Sequence, residues 1–166
     1  AANQMLHEVL RRCSQYSCPV QLHVEDRADV TFSEIEKIRL SAGLPVSLTL
    51  RHYAPSNVTE SFRSGLPVTV SMGKESIQGI ALSLIEDELV FQDLTPFLME
   101  TDYLDDSRRP GAVLGPKTLP KRTNELGRHL QMPISEGGLG WNQSKVAELL
   151  WMLHRVWPDT LYGECR

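Results

Sequence analysis

The sequence predicts an α+β fold. It is a two-layer α/β sandwich on a mixed sheet, with elements in the order α-βαβαβ-ββ, followed by a C-terminal helical extension. Three observations predict it. Segments with apolar residues at helical spacing alternate with segments whose apolar residues fall at every second position. A Gly-Leu-Pro-Val block at 43–46 returns at 65–68, and a looser Cys-Pro-Val at 18–20 precedes both, each where a helical pattern gives way to a strand pattern. The connections over 26–44 and 52–66 are long enough for crossovers between parallel strands, which are right-handed.

Leu6, Val9, Leu10 and Cys13 stand at i, i+3, i+4 and i+7, one face of an amphipathic helix over 3–14. Pro19 opens a strand in which Val20, Leu22 and Val24 alternate with Gln21 and His23. Thr31 with Glu34 forms a capping box for a helix that turns Phe32, Ile35 and Ile38 inward. Gly43 then supplies the residue past the helix end where a left-handed backbone costs least. Pro45 opens the next strand, a position that tolerates a missing N–H. There Val46, Leu48 and Leu50 point one way, and Ser47, Thr49 and Arg51 the other.

The unit repeats. Asn57 with Glu60 caps a short helix, Gly65 ends it, and Pro67 opens a strand with Val68, Val70 and Met72 inward. Local chain geometry explains every shared position of the echo, so it marks topology rather than a ligand motif. After Met72 the rhythm changes: "IQGIALSLI" and "ELVFQDL" read as an antiparallel hairpin turned at Glu86 and Asp87. Residues 95–117, with Pro96, Pro110, Gly111, Gly115 and Pro116, read as irregular. A helix over 119–131 follows. Asn142 caps the last long helix, with Trp141 and Val146 spaced as a hydrophobic staple, and Pro158 stops it. The organisation expected is a sheet domain over 1–95, a linker-like segment over 96–117, and a helical extension over 118–166 packed on or beside the sheet domain.

A chain of 166 residues fits one domain. It buries about two thirds of its unfolded surface, so neither metal nor disulfide is needed for folding. Cys13, Cys18 and Cys165 are an odd number at low density, which fits a reducing, intracellular setting, cytoplasmic or nuclear. No signal peptide opens the chain, and no apolar run approaches a membrane span. His7, Cys13, Cys18 and His23 have no zinc-site spacing, and no metal or cofactor is expected. The net charge of −4 hides a division: residues 1–107 carry −8 and residues 108–166 carry +4. Two surfaces with different partners, or two segments that attract each other, would give that pattern.

Candidate chemistry is sparse. Arg108, Arg109, Lys117, Lys121, Arg122, Arg128 and, on the last helix, Lys145 form the set for a nucleic-acid-binding alternative, since phosphate contacts need such clusters. "NQSKVAELL" resembles the first helix of the helix-turn-helix that closes many bacterial enhancer-binding activators. The resemblance covers about nine residues, and beyond them Trp151 replaces the turn glycine and Pro158 falls where a recognition helix would run. "RHY" at 51–53 ends a strand, where α/β sheets place ligand groups, and His52 could act as acid or base. No nucleophile elbow, Cys-His pairing or carboxylate constellation accompanies it. "EGGLGWNQ" lacks the ending of a phosphate loop, and the acids at 100–106 lack calcium-loop spacing.

Trp151 falls on the polar side of its helix among Glu148 and Arg155, where an aromatic reads as an interface anchor. The leading expectation is therefore a non-enzymatic intracellular binding module, part of a larger regulator or assembly. Trp151, Glu148 and Arg155 would face a protein partner or a second copy. A nucleic-acid binder and a small enzyme with a site gathered around His52 are the alternatives.

Overall fold

Each echo in the sequence lies between a helix and the strand that follows it, directly before the strand at 18–20 and 65–68 and ahead of a short 3-10 turn at 43–46. In the computed structural model the described residues are 2–23, 29–54, 58–73, 75–86, 94–101 and 115–163. Gly43 and Gly65 both take left-handed backbone, with φ of 69° and 71°, at the ends of helices α2 (Asp29–Ala42) and α3 (Thr59–Ser64). Helix α1 (Ala2–Gln15) buries Leu10 and rests Leu6 and Cys13 on the core, though Val9 stays exposed. Helix α2 starts two residues before Thr31, so its expected cap lies inside the first turn. Phe32 and Ile35 are buried as the spacing requires.

Strands β1 (Val20–His23), β2 (Thr49–Ala54), β3 (Val68–Ser71) and β4 (Phe97–Glu100) form one sheet in sequential order, every pair parallel. Sequential parallel strands joined by right-handed crossovers carry the intervening helices on one face. Helices α2 and α3 pack on each other, as do α3 and α4 (Ser76–Glu86). The α/β layering with a C-terminal helical extension is as the sequence predicts, but the sheet is parallel throughout rather than mixed.

The difference comes from residues 76–100. The segment read as the first hairpin strand is helix α4, which buries Ile77, Ile80, Ala81 and Leu84 at i, i+3, i+4 and i+7. Leu82 and Ile85 are about half exposed, at 50% and 52%, and their apolar character blurs that helical period in the sequence. The second expected strand, at 88–94, lies outside the described residues except for Leu94. Strand β4 comes instead from the stretch expected to be irregular. It pairs with β3 from Val68↔Phe97 to Ser71↔Glu100.

Strand β2 also departs from expectation. Residues Val46–Leu48 form a 3-10 turn, so the strand begins at Thr49. Thr49 and Arg51, expected on the polar side, pair in register with Val20 and Leu22, and Arg51 also pairs with Val68. They therefore share the helix-covered face. Arg51 is 1% exposed, with its guanidinium 4.8 Å from the centre of the Phe32 ring on α2.

The C-terminal helices cover part of the other face. Helix α5 (Thr118–Gln131) packs on α4 and on α6 (Gln143–Trp151). Asn142 Oδ1 accepts the Lys145 N–H at 2.8 Å, the expected cap. Pro158 does not stop this helix. A π-helical turn, Met152–Val156, leads directly into helix α7 (Trp157–Tyr162), with Pro158 in its first turn, where a proline displaces no hydrogen bond. Buried Trp157 anchors α7 on the sheet, its ring 5.1 Å from that of Phe97 on β4.

Candidate functional site

Strand alternation and register put Gln21, His23, His52, Thr69, Ser71, Leu98 and Glu100 on the face opposite the crossover helices. Four of them form a polar row that crosses all four strands. The His23 and His52 rings lie 5.2 Å apart, tilted by 48°. His52 Nδ1 is 3.1 Å from Glu100 Oε2, and Thr69 donates its hydroxyl proton to Glu100 Oε1. Thr69 Oγ1 is also 3.4 Å from His52 Nδ1.

The backbone cause is a β-bulge. Arg51 pairs with Val68 and Ala54 with Val70, so two residues of β2 stand against one of β3. Bulges re-aim side chains and recur beside functional sites. This one places His52 where its imidazole reaches Glu100 two strands away. Both side chains are mostly withdrawn from water, at 25% and 17% exposure, which strengthens the interaction between them.

Beside this row lies a pocket of about 490 Å³. Thr69 and Glu100 form its polar end. Leu98, Leu119, Pro120, Leu153 and Pro158 are among its apolar walls, and His154 and Tyr162 reach it from the C-terminal helices. The π-helical turn carries Leu153 and His154, and such turns are frequent at functional sites. A smaller cavity of about 180 Å³ lies on the far side of Tyr162, lined by Val20, Gln21, Leu50 and Leu161 among others.

The residues chosen from sequence are placed elsewhere. Trp151 ends α6 at 61% exposure; Glu148 is exposed on the same helix, and Arg155 Nε is 3.2 Å from Asp159 Oδ2. Lys117, Lys121 and Arg128 are exposed around and along α5, while Arg122 is half-buried and pairs with Glu125. That pairing holds the Glu125 carboxyl below its ordinary range. Lys145 stacks 4.0 Å above the Trp141 ring. Arg108 and Arg109 lie outside the described residues.

Of the sequence candidates, His52 is the one brought into the polar row. Glu100, Thr69, His154 and Tyr162 were not joined into one site from sequence, because four different elements supply them, with no local spacing to link them. Among the described residues, no group of three or more His, Cys, Asp or Glu is placed to hold a metal ion. No helix among them is long and apolar enough to cross a membrane.

No known protein family matches the chain, and neither does any solved structure. The chain is similar to an uncharacterized protein of Methanocaldococcus jannaschii, with 30% identity over 126 residues. The match takes in 76% of this chain and 41% of the relative, so the chain spans less than half the relative's length.

Proposed function

We propose that this chain is a non-enzymatic binding module whose ligand is a small molecule, held between the second sheet face and the C-terminal helices. The observation that carries the reading is the pocket of about 490 Å³, apolar in its walls, with Thr69 and Glu100 at one end. Small-molecule sites have that size and that division of labour, apolar surface for affinity and a few placed polar groups for orientation. The polar end is held rigid by cross-strand contacts rather than by a loop. Such a site keeps its geometry before a ligand arrives, which lowers the cost of binding.

Binding fits the polar row better than nucleophilic catalysis does. In a hydrolytic triad the acid and the hydroxyl engage opposite nitrogens of the imidazole. Here Glu100 and the Thr69 hydroxyl both approach His52 Nδ1, and they also bond to each other. A hydroxyl so placed orients the carboxylate and is not lined up to give its proton to the ring.

The test is to fill the pocket. Leu119, half-buried on α5 at the edge of the core, lines it, and Leu119→Trp adds bulk there. Calorimetric titration with 2-phenylethanol and 2-phenylethylamine as probes should show binding to the wild type and none to a variant that still melts cooperatively. Equal binding by both proteins, or none by the wild type, overturns the reading.

A second reading, a protein partner or self-association, is favoured by Trp151, whose indole is 61% exposed between Glu148 and Arg155. Exposed tryptophans of this kind are enriched among interface anchors. Sedimentation of wild type and Trp151→Ala tests self-association.

A further inference from the structure

We infer that Cys13 and Cys18 form a reactive dithiol site, which a small-molecule disulfide of the glutathione class converts to an intramolecular disulfide. The site is separate from the pocket. Helix α1 ends in a turn that closes one cysteine on the other. The Cys18 N–H donates to the Cys13 carbonyl oxygen at 2.9 Å, and the Ser17 N–H to that of Ser14 at 3.3 Å. Ser17 takes left-handed backbone, with φ of 51°. Those two bonds and that one residue make a Schellman motif, whose first and last side chains commonly pack together. Here both are cysteines.

The backbone puts a bridge within reach. With ordinary bond lengths on either side of the 2.9 Å contact, the two Cα atoms stand at most about 7 Å apart. That is the outer limit for a disulfide made without moving the backbone, and bond angles shorten the path further. Cys18 is exposed, where an incoming disulfide can meet it, and Cys13 is half-buried against the core. The Ser14 hydroxyl donates to the Gly43 carbonyl at 2.7 Å, which ties this turn to the end of α2 and holds the pair in place before any reaction.

The exchange balances. The Cys18 thiolate attacks one sulfur of the incoming disulfide, forms a mixed disulfide and expels the first thiolate. The Cys13 thiolate then attacks Cys18 Sγ, closes the Cys13–Cys18 bond and expels the second. The cysteine pair loses two electrons and two protons, and one small disulfide becomes two thiols.

The test uses the full chain carrying Cys165→Ser, so that no third thiol competes. It is equilibrated in glutathione buffers of graded ratio, with and without concentrated urea. After acid quenching and alkylation, trypsin releases Cys13–Arg27, which holds both cysteines, and its mass reports the bridge. The equilibrium constant for the bridge should be at least about tenfold larger in the folded chain, because the turn raises the effective concentration of one thiol at the other. Ser17→Pro, with φ fixed at about −65°, should bring the folded value within about threefold of the unfolded one in a chain that still melts cooperatively. Ser17→Gly should keep the folded preference. Equal constants for folded and unfolded chains, a preference that survives Ser17→Pro, or a peptide carrying only mixed disulfides overturns the assignment.

Discussion

Replacing Gly138 by alanine places a methyl group where the loop between α5 and α6 has no room for one. A Cβ at that position lies 2.2 Å from the Met132 carbonyl oxygen and 2.5 Å from Met132 Cβ. The first is a backbone atom, so no rotamer change relieves the overlap. The loop is held there by Gly138 N–H to Pro133 O at 3.1 Å and Gly140 N–H to Met132 O at 2.8 Å. Opening it enough for a methyl group breaks both bonds, at about 1 kcal/mol each, and adds about 1–3 kcal/mol of overpacking.

The expected loss is therefore about 3–5 kcal/mol, a large part of the stability of an ordinary domain. Urea unfolding followed by tryptophan fluorescence reads it directly, because Trp141, Trp151 and Trp157 all belong to the segment this loop docks. The midpoint should fall with little change in slope, and probe binding should weaken, since the same segment carries Leu153, His154 and Tyr162. A midpoint shift equivalent to less than about 0.5 kcal/mol refutes the packing argument.

Arg39 is buried on α2, donating to the Leu44 carbonyl at 2.5 Å and to both Glu36 oxygens, so Arg39→Met should cost about 2–3 kcal/mol in urea unfolding. Trp151→Ala should change stability by less than about 0.5 kcal/mol and leave unfolding cooperative; unfolding of the chain would show the indole to be core. The Glu8 carboxyl is held down to about 2 by Arg11 and Arg12, and that of Glu125 is lowered chiefly by Arg122. Both pairings contribute stability above the ordinary carboxylate value and lose it as pH falls through the lower folded one. The melting-temperature gap between wild type and Glu125→Gln should thus be widest near neutrality and close on acidification; a gap that widens in acid contradicts the sign.

Much of the fold was legible because it rests on local chemistry. Gly43 and Gly65 end helices in left-handed backbone, Asn142 caps α6, and Val68, Val70 and Met72 are buried as their alternation requires. The misreadings fall where tertiary context overrides a local pattern. Leu82 and Ile85 hid the helical period of α4. The π-helical turn let α7 pass through Pro158.

Arg51 read as a solvent-facing strand residue because the 3-10 turn and the packing of Phe32 over its guanidinium leave no periodic trace. The site was the least legible part. His52 could be singled out from its place at a strand end, but its contact with Glu100 depends on a bulge and on a strand 48 residues further along the chain, read as irregular. Side chains assembled by parallel pairing share a site without sharing a motif.

The most direct test of the binding account is a methyl-labelled NMR titration of the chain with 2-phenylethylamine, repeated with 2-phenylethanol. The account predicts shifts at Leu98, Met99, Leu119 and Leu153 that follow one saturating isotherm, while exposed Met5 on α1 and Leu82 on α4 stay unmoved. Shifts concentrated at Met5, Leu82 or Ile85, or no saturable shift at the pocket methyls, would contradict it.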